Sequence, residues 1–316
     1  MTTAPALPVT AGPPVAPSRD SGRLRHGRRW DRAAVLFLLP SLLLAIGFLI
    51  VPMIAAFVYS AARIAPLSGR VTWVQLSNYA TMFADPTFYR ALGNTALFIG
   101  LTVPLSMAVG LALAVLMNSV LPGRRIVRTI IYLPLVISGV AVGLIGTFLF
   151  NDTIGVFNGL ATSFGLPNVS WQSRGLPAFI SLVLITLWIR VGFTMIIYLA
   201  GLQAVPVELY EAAQVEGASG WQRFRFITFP LLGPSTFFLL IMNVIYSFQV
   251  FDTVFVLTNG GPGSATEVLG TYAYKTAFGP ARDQGYGAAI GVVIFFLTLI
   301  FTVVQWRTNR NRDEVA

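Results

Sequence analysis

The sequence has no cysteine, one histidine, one lysine and few charges of either sign. Lacking cysteine, the chain has no disulfide framework, thiolate metal site or Cys nucleophile. Its one histidine, His26, lies in a stretch rich in proline and arginine. Most metal-site and general-base chemistry is therefore without a candidate residue, and we expect neither catalytic residues nor metal ligands. The lysine, Lys275, follows Tyr274. A nucleotide-binding P-loop places Gly directly before its Lys, so the chain carries no P-loop and any ATP that drives it is hydrolysed by another polypeptide. Charged residues make up 10% of the 316 residues, against roughly 25% in soluble domains, too few to cover a soluble surface. A hydrophobic content of 55% excludes intrinsic disorder of the whole chain. The low charge points to a membrane.

What is present is a series of apolar runs, six of them long enough for a helix to cross a bilayer, which takes about 20 residues. They are expected near residues 33–62, 91–117, 129–150, 176–201, 231–257 and 286–306. The first follows a basic stretch, as a signal peptide does, but secretory apolar regions run about 7–15 residues and Ala33 to Ala62 is charge-free throughout. It reads as an uncleaved helix. Fourteen of the 21 basic residues fall in the segments before residue 33, at 118–128, at 202–230 and after 306. Basic residues mark the cytoplasmic side, so both termini are expected in the cytoplasm. Six basic residues crowd between Arg19 and Arg32, beside the first span, where they suit topology signalling and anionic lipid contact rather than nucleic acid. The expected organisation is a disordered basic tail over 1–32, a transmembrane region over 33–306 with a cytoplasmic loop at 202–230, and a cytoplasmic tail over 307–316.

Loop 202–230 is more than a connector. After Pro206 it is rich in helix formers, and Glu208 and Glu211 complement the positive end of a helix starting there. Gly217 and Gly220 permit a stop and turn, and a second short helix is expected from about Trp221, ending before Pro230. Such a pair could project into the cytoplasm or lie on lipid headgroups; Ala212, Ala213, Gly217 and Ala218 would let another surface approach closely.

Glu211-Ala212-Ala213, Gly217, and then, after nine intervening residues, Ile227-Thr228-Phe229-Pro230 resemble the EAA motif of ABC importer permeases, with Phe229 where Leu is common. Phe251 to Pro262, reading FDTVFVLTNGGP, and Gly285-Tyr286-Gly287-Ala288-Ala289-Ile290 are similar to the carbohydrate-uptake branch, in particular the first, larger permease subunit of maltose-type transporters. Asn94-Thr95, Tyr132-Leu133-Pro134 and Leu199 to Gln203 match more weakly. The resemblance covers about residues 33–306, without that subunit's extra N-terminal helices and large external domain. It implies an all-α polytopic membrane protein with six transmembrane helices and the type I ABC importer permease fold, in the bacterial cytoplasmic membrane. It implies a half-channel paired with a second, homologous permease, two cytoplasmic ATPases that bind ATP and Mg, and an extracytoplasmic solute-binding protein. The segment around Glu208, Tyr210, Glu211, Ala212, Ala213, Gly217 and Ala218 would be the coupling helix.

Polar groups within the spans are the candidates for a substrate path, since a charge at bilayer depth is expensive and rarely faces lipid. Thr186, Arg190 and Phe193 share a helix face near the expected midplane, and Asn243, Tyr246, Ser247 and Val250 share another. These faces offer the hydrogen-bonding groups and aromatic surface that a sugar needs, at the depth where transporter sites lie. The resemblance implies the same positions, with Ile189 added, as the sugar-lining ones. Bridging between helices is the competing role for Arg190 and Asn243. Asp252 is expected nearer the outer end; the resemblance implies a structural or gating role there, and a structural hydrogen bond to neighbouring backbone is the reading preferred. Gly260-Gly261-Pro262 reads as a tight turn that either shapes a docking surface or simply ends the span. The alternative class, an ion-coupled secondary transporter, usually relies on intramembrane carboxylates, and Asp252 is the only acidic residue well within an expected span.

Overall fold

In hydrocarbon each backbone N–H and C=O must be satisfied within its own segment, so the long apolar runs become helices. The computed structural model describes residues 32–65, 68–119, 122–280 and 282–313; the tail expected over 1–32 lies, apart from Arg32, outside the described residues. The chain divides into two units, residues 1–51 and 52–316. The first holds α1 (Arg32–Ala45) and a wide π turn, Ile46–Ile50.

The second opens in α2 (Val51–Ser60) and a hairpin of β1 (Ala62–Ile64) and β2 (Val71–Trp73), paired antiparallel with Ala62 opposite Trp73. Then come α3 (Ser77–Ala84) and α4 (Pro86–Asn118), and next α5 (Arg124–Val136), α6 (Gly139–Leu149) and α7 (Val156–Ser163). The long α8 (Gly175–Gln203) leads to α9 (Val207–Val215). A helical run follows from α10 (Gly220–Arg223) through a π turn (Phe224–Thr228) to α11 (Phe229–Leu231), then α12 (Gly233–Phe248) and α13 (Asp252–Leu257). The last elements are α14 (Leu269–Phe278) and α15 (Gln284–Asp313).

Four helical stretches are long and apolar enough to cross a membrane: Leu36–Ser60, Pro86–Asn118, Gly175–Gln203 and Gln284–Asn309. Two bent pairs bring the number to six if each is one span: Arg124–Val136 with Gly139–Leu149, bent by 104°, and Gly220–Leu231 with Gly233–Phe248, bent by 64°. The third expected span therefore forms two helices at nearly a right angle. Ile137 and Ser138 at the junction carry extended ψ angles of 141° and 139°, just beyond Pro134. The fifth expected span, 231–257, is not one helix either. Its first helix starts at Gly233, where Pro234 supplies no N–H to the preceding turn, and it stops at Phe248; α13 resumes at Asp252. The second short helix of the 202–230 segment, expected to end before Pro230, continues to Leu231: Pro230 falls in the first turn of α11, directly after the wide π turn Phe224–Thr228. The last helix continues to Asp313, past the expected end at 306.

Close approach at small residues sets the packing, as expected for helices surrounded by lipid. A Cβ at Gly110 on α4 would lie 2.6 Å from Thr194 on α8, and one at Gly192 on α8 would lie 2.4 Å from the carbonyl oxygen of Ile131 on α5. On α6, a Cβ at Gly143 would lie 2.8 Å from Val256. α13 thus lies close against a glycine-lined face, and that contact accounts for the break before it. Around these crossings sits a core that includes Phe98, Val142, Leu182, Ile185, Val254 and Leu257.

One end of the bundle is tied by a carboxylate. Asp85 caps α4, accepting from the Thr87 N–H at 2.8 Å, with Pro86 in the first turn. The same carboxylate accepts from the hydroxyls of Tyr272 on α14 and Tyr286 on α15. Burial alone would raise its pKa; the hydrogen bonds from Tyr272, Tyr286 and Thr87 outweigh that and hold it below the ordinary carboxylate value. Burial, and then the bond to Asp85, push Tyr272 up to about 12.

Candidate functional site: a polar cavity linked by one helix to a projecting helical elbow

An open cavity of about 350 Å³ lies where α8, α12 and the interruption after Phe248 meet the α5–α6 junction. From α8 it is lined by Thr186, Ile189 and Arg190, and from α12 and the interruption by Tyr246, Ser247 and Val250. These are six of the eight positions expected to line a substrate path. The Arg190 guanidinium lies 3.6 Å from the centre of the Tyr246 ring, well within cation–π range. A guanidinium over an aromatic face brings hydrogen-bond donors and an apolar ring to one wall of the cavity, which suits a polyhydroxylated ring. Hydroxyls flank the pair. Thr186 donates to the Leu182 carbonyl at 2.8 Å, and Ser247 lies 3.3 Å from Thr102 on α4.

Phe193 and Asn243 do not line this cavity. Asn243 is 3% exposed and its amide donates to Leu239 of its own helix at 2.9 Å. Phe193 packs beside the cluster of Met195, Tyr198 and Leu199. Sequence reasoning left out Gln249, Asp252 and Thr253, which line the cavity where the helix breaks. A period of 3.6 residues carried straight through 249–251 keeps Thr253 beside Tyr246 and Val250 but places Asp252 on the opposite face, and no glycine or proline marks the break. Asp252 is exposed and opens α13, and a Cβ at Gly139 would lie 3.1 Å from its Oδ2.

Below the cavity α8 continues from Arg190 to Gln203 without interruption, about 20 Å at 1.5 Å per residue. The elbow begins two residues on. Pro206 caps α9, and Glu208 sits in its first turn. The helix stops in a Schellman turn: Ala218 N–H donates to Ala213 O at 2.9 Å and Gly217 N–H to Gln214 O at 3.1 Å, with Gly217 at φ +77°. Any side chain at Gly217 would be strained there. Ser219 and Gln222 then form a reciprocal capping box that starts α10. Tyr210 pins the two arms, its hydroxyl 2.9 Å from that of Thr228. Between the arms is a groove of about 420 Å³ to which Ala212, Ala213 and Ala218 contribute, while Glu208 and Glu211 are exposed outside it. The elbow is thus a rigid projection with small residues facing an open groove.

Residues 87–312 match the family of binding-protein-dependent transport system inner membrane components. The chain belongs to this family. Its curated relatives include the trehalose/maltose transport system permease protein MalF of Thermococcus litoralis, 34% identical over 90% of this chain and 96% of that protein. They also include the arabinooligosaccharides transport system permease protein AraP of Bacillus subtilis, 34% identical over 88% of each chain. Among solved structures, a bacterial alginate ABC transporter in complex with its alginate pentasaccharide-bound periplasmic protein superposes with a TM-score of 0.79. That match is 26% identical and covers 89% of this chain and 95% of the other. As a member of the family, this permease is a multi-pass inner-membrane component with the type I ABC importer permease fold.

Proposed function

We propose that the chain forms half of the translocation pathway of an ATP-driven sugar importer, for a mono- or oligosaccharide or a related polyol or glycoside. Six spans place both termini in the cytoplasm. A second, homologous permease completes the pathway, an external binding protein delivers the sugar, and two cytoplasmic ATPases bind ATP and Mg. Movement of α8 joins the two ends of the cycle: the elbow at Glu208–Ala218 rests on an ATPase, and the same helix carries Thr186 and Arg190 into the cavity. The observation that carries this reading is the stacked Arg190–Tyr246 pair among hydroxyls, on a helix that runs unbroken to the elbow. The names of the curated relatives and the alginate importer's periplasmic partner support the sugar and the external delivery.

The test is uptake of labelled sugar by the complete transporter in proteoliposomes. Glu211→Lys combined with Gly217→Asp is expected to abolish uptake while the chain still inserts and assembles. Persistent uptake rules out the coupling assignment. The chain purified alone is expected to hydrolyse no ATP.

A further inference from the structure

At the end of the bundle remote from the elbow, three arginines surround a cleft of about 290 Å³: Arg63 and Arg70 from the hairpin and Arg282 from the turn before α15. None of the three is ion-paired among the described residues, where the salt bridge is Lys275–Glu267. The one acid lining the cleft, Asp283, uses Oδ1 to accept from the Tyr286 N–H at 3.0 Å, which starts α15. The cleft therefore has excess positive charge, all of it on exposed side chains.

Its walls are held firmly. Buried Asn78 donates from its amide to the carbonyls of Ser60 and Ala62, each at 2.9 Å, fixing the base of the hairpin. Gly285 lies so close that a Cβ there would be 1.9 Å from the Ala62 oxygen, so the hairpin is seated on the start of α15. The position of this end follows from α4. Its first residues are tied through Asp85 to Tyr286, near Arg282, whereas Val115, near its other end, lines a cleft with Trp221 and Phe224 of the elbow's second arm. Its 33 residues span about 50 Å, more than a hydrocarbon core of about 30 Å.

We propose that this cleft docks an acidic surface of the external solute-binding protein. The proposal rests on the importer reading above and names the patch and the charge that would meet the delivering protein. Guanidinium groups around a concave, pre-formed cleft suit carboxylates from a folded partner, in bidentate pairs. Lipid recognition instead favours basic residues along an amphipathic helix or basic pockets on the cytoplasmic side, whereas this cleft lies at the end opposite the elbow.

The experiment uses the complete transporter in nanodiscs of phosphatidylcholine alone and titrates the sugar-loaded solute-binding protein, reading stimulated ATPase activity. Arg63→Glu, Arg70→Glu and Arg282→Glu together are expected to raise the half-saturating concentration about tenfold or more at low salt, with the maximal rate unchanged. The gap narrows as ionic strength rises, because exposed charges are screened. If the triple variant fails to assemble, the single glutamine variants carry the test, each expected to raise half-saturation about two- to fourfold. Unchanged half-saturation, or a difference that salt does not alter, overturns the proposal and leaves the importer reading standing. A difference seen only when phosphatidylglycerol is present overturns it in favour of lipid. A wild-type transporter that no binding protein stimulates overturns both.

Discussion

α8 and the α12–α13 segment face the same cavity but are built in opposite ways. α8 is a single helix of 29 residues that contributes Thr186, Ile189 and Arg190 on one face. The segment opposite bends by 64° before Gly233, stops at Phe248 and resumes at Asp252. The unbroken helix can carry a displacement from the elbow to the cavity, because its hydrogen-bond ladder has no soft point along that length. The broken segment cannot act as a rod. What it supplies is shape, since the interruption turns Gln249, Val250 and Asp252 toward the space that Tyr246 and Arg190 border. Discontinuous helices are tolerated at membrane depth where they line a cavity, and this one does.

The contrast can be broken by substitution, and the largest effect is expected on the rod. Gly192→Val places a side chain against the Ile131 carbonyl, and overpacking of this kind costs about 1–3 kcal/mol or more when backbone must move. Thermal unfolding of the solubilised transporter should show it. Gly233→Ala, at the bend, meets nothing within 4 Å and is expected to leave the unfolding temperature unchanged. Equal destabilisation by the two would remove the distinction between rod and bend.

Next in size is the stacked pair. A hydrogen bond from a charged donor to the sugar contributes about 1.5–3 kcal/mol, so Arg190→Ala is expected to lower sugar-dependent uptake about tenfold or more. Binding-protein-stimulated ATPase activity should fall much less. Asn243→Ala removes a hydrogen bond within α12 and should cost about 1 kcal/mol of stability with little change in sugar dependence. If Asn243→Ala harmed uptake as much as Arg190→Ala, lining the cavity would not be what distinguishes them.

The smallest effect is a pH dependence at the end of the bundle. Asp85 has a pKa below its unfolded value, so its contribution to stability is present above the ordinary carboxylate range and is lost as pH falls through the folded pKa. Wild-type stability should therefore be flat from neutral pH to about 5 and decline only in stronger acid. Asp85→Asn should flatten that decline, as read by unfolding temperature against pH.

Much of this was legible in the sequence. The apolar runs predicted where helices lie, and the elbow was readable in local chemistry: Pro206 at a start and Gly217 at a stop, where φ is positive. Each depends on neighbours within a few residues. Six of the eight positions expected to line a substrate path also meet at one cavity, three of them on α8, which keeps the 3.6-residue period on which that face was drawn. Phe193 and Asn243 fall outside it. For Asn243 the reason is local, since its amide turns to a carbonyl four residues back.

The interruption at 249–251, the right-angled turn at 137–138 and the inward position of Asp252 were not legible. No local residue forces them. They follow from α13 lying against Gly139 and Gly143 of α6, a contact between segments more than a hundred residues apart. By itself, then, the sequence determined the apolar runs and the elbow, since composition and short-range capping are local properties. Only the tertiary structure decided where helices break, which polar groups share a cavity, and that three scattered arginines close around one cleft, since those depend on which distant surfaces pack together.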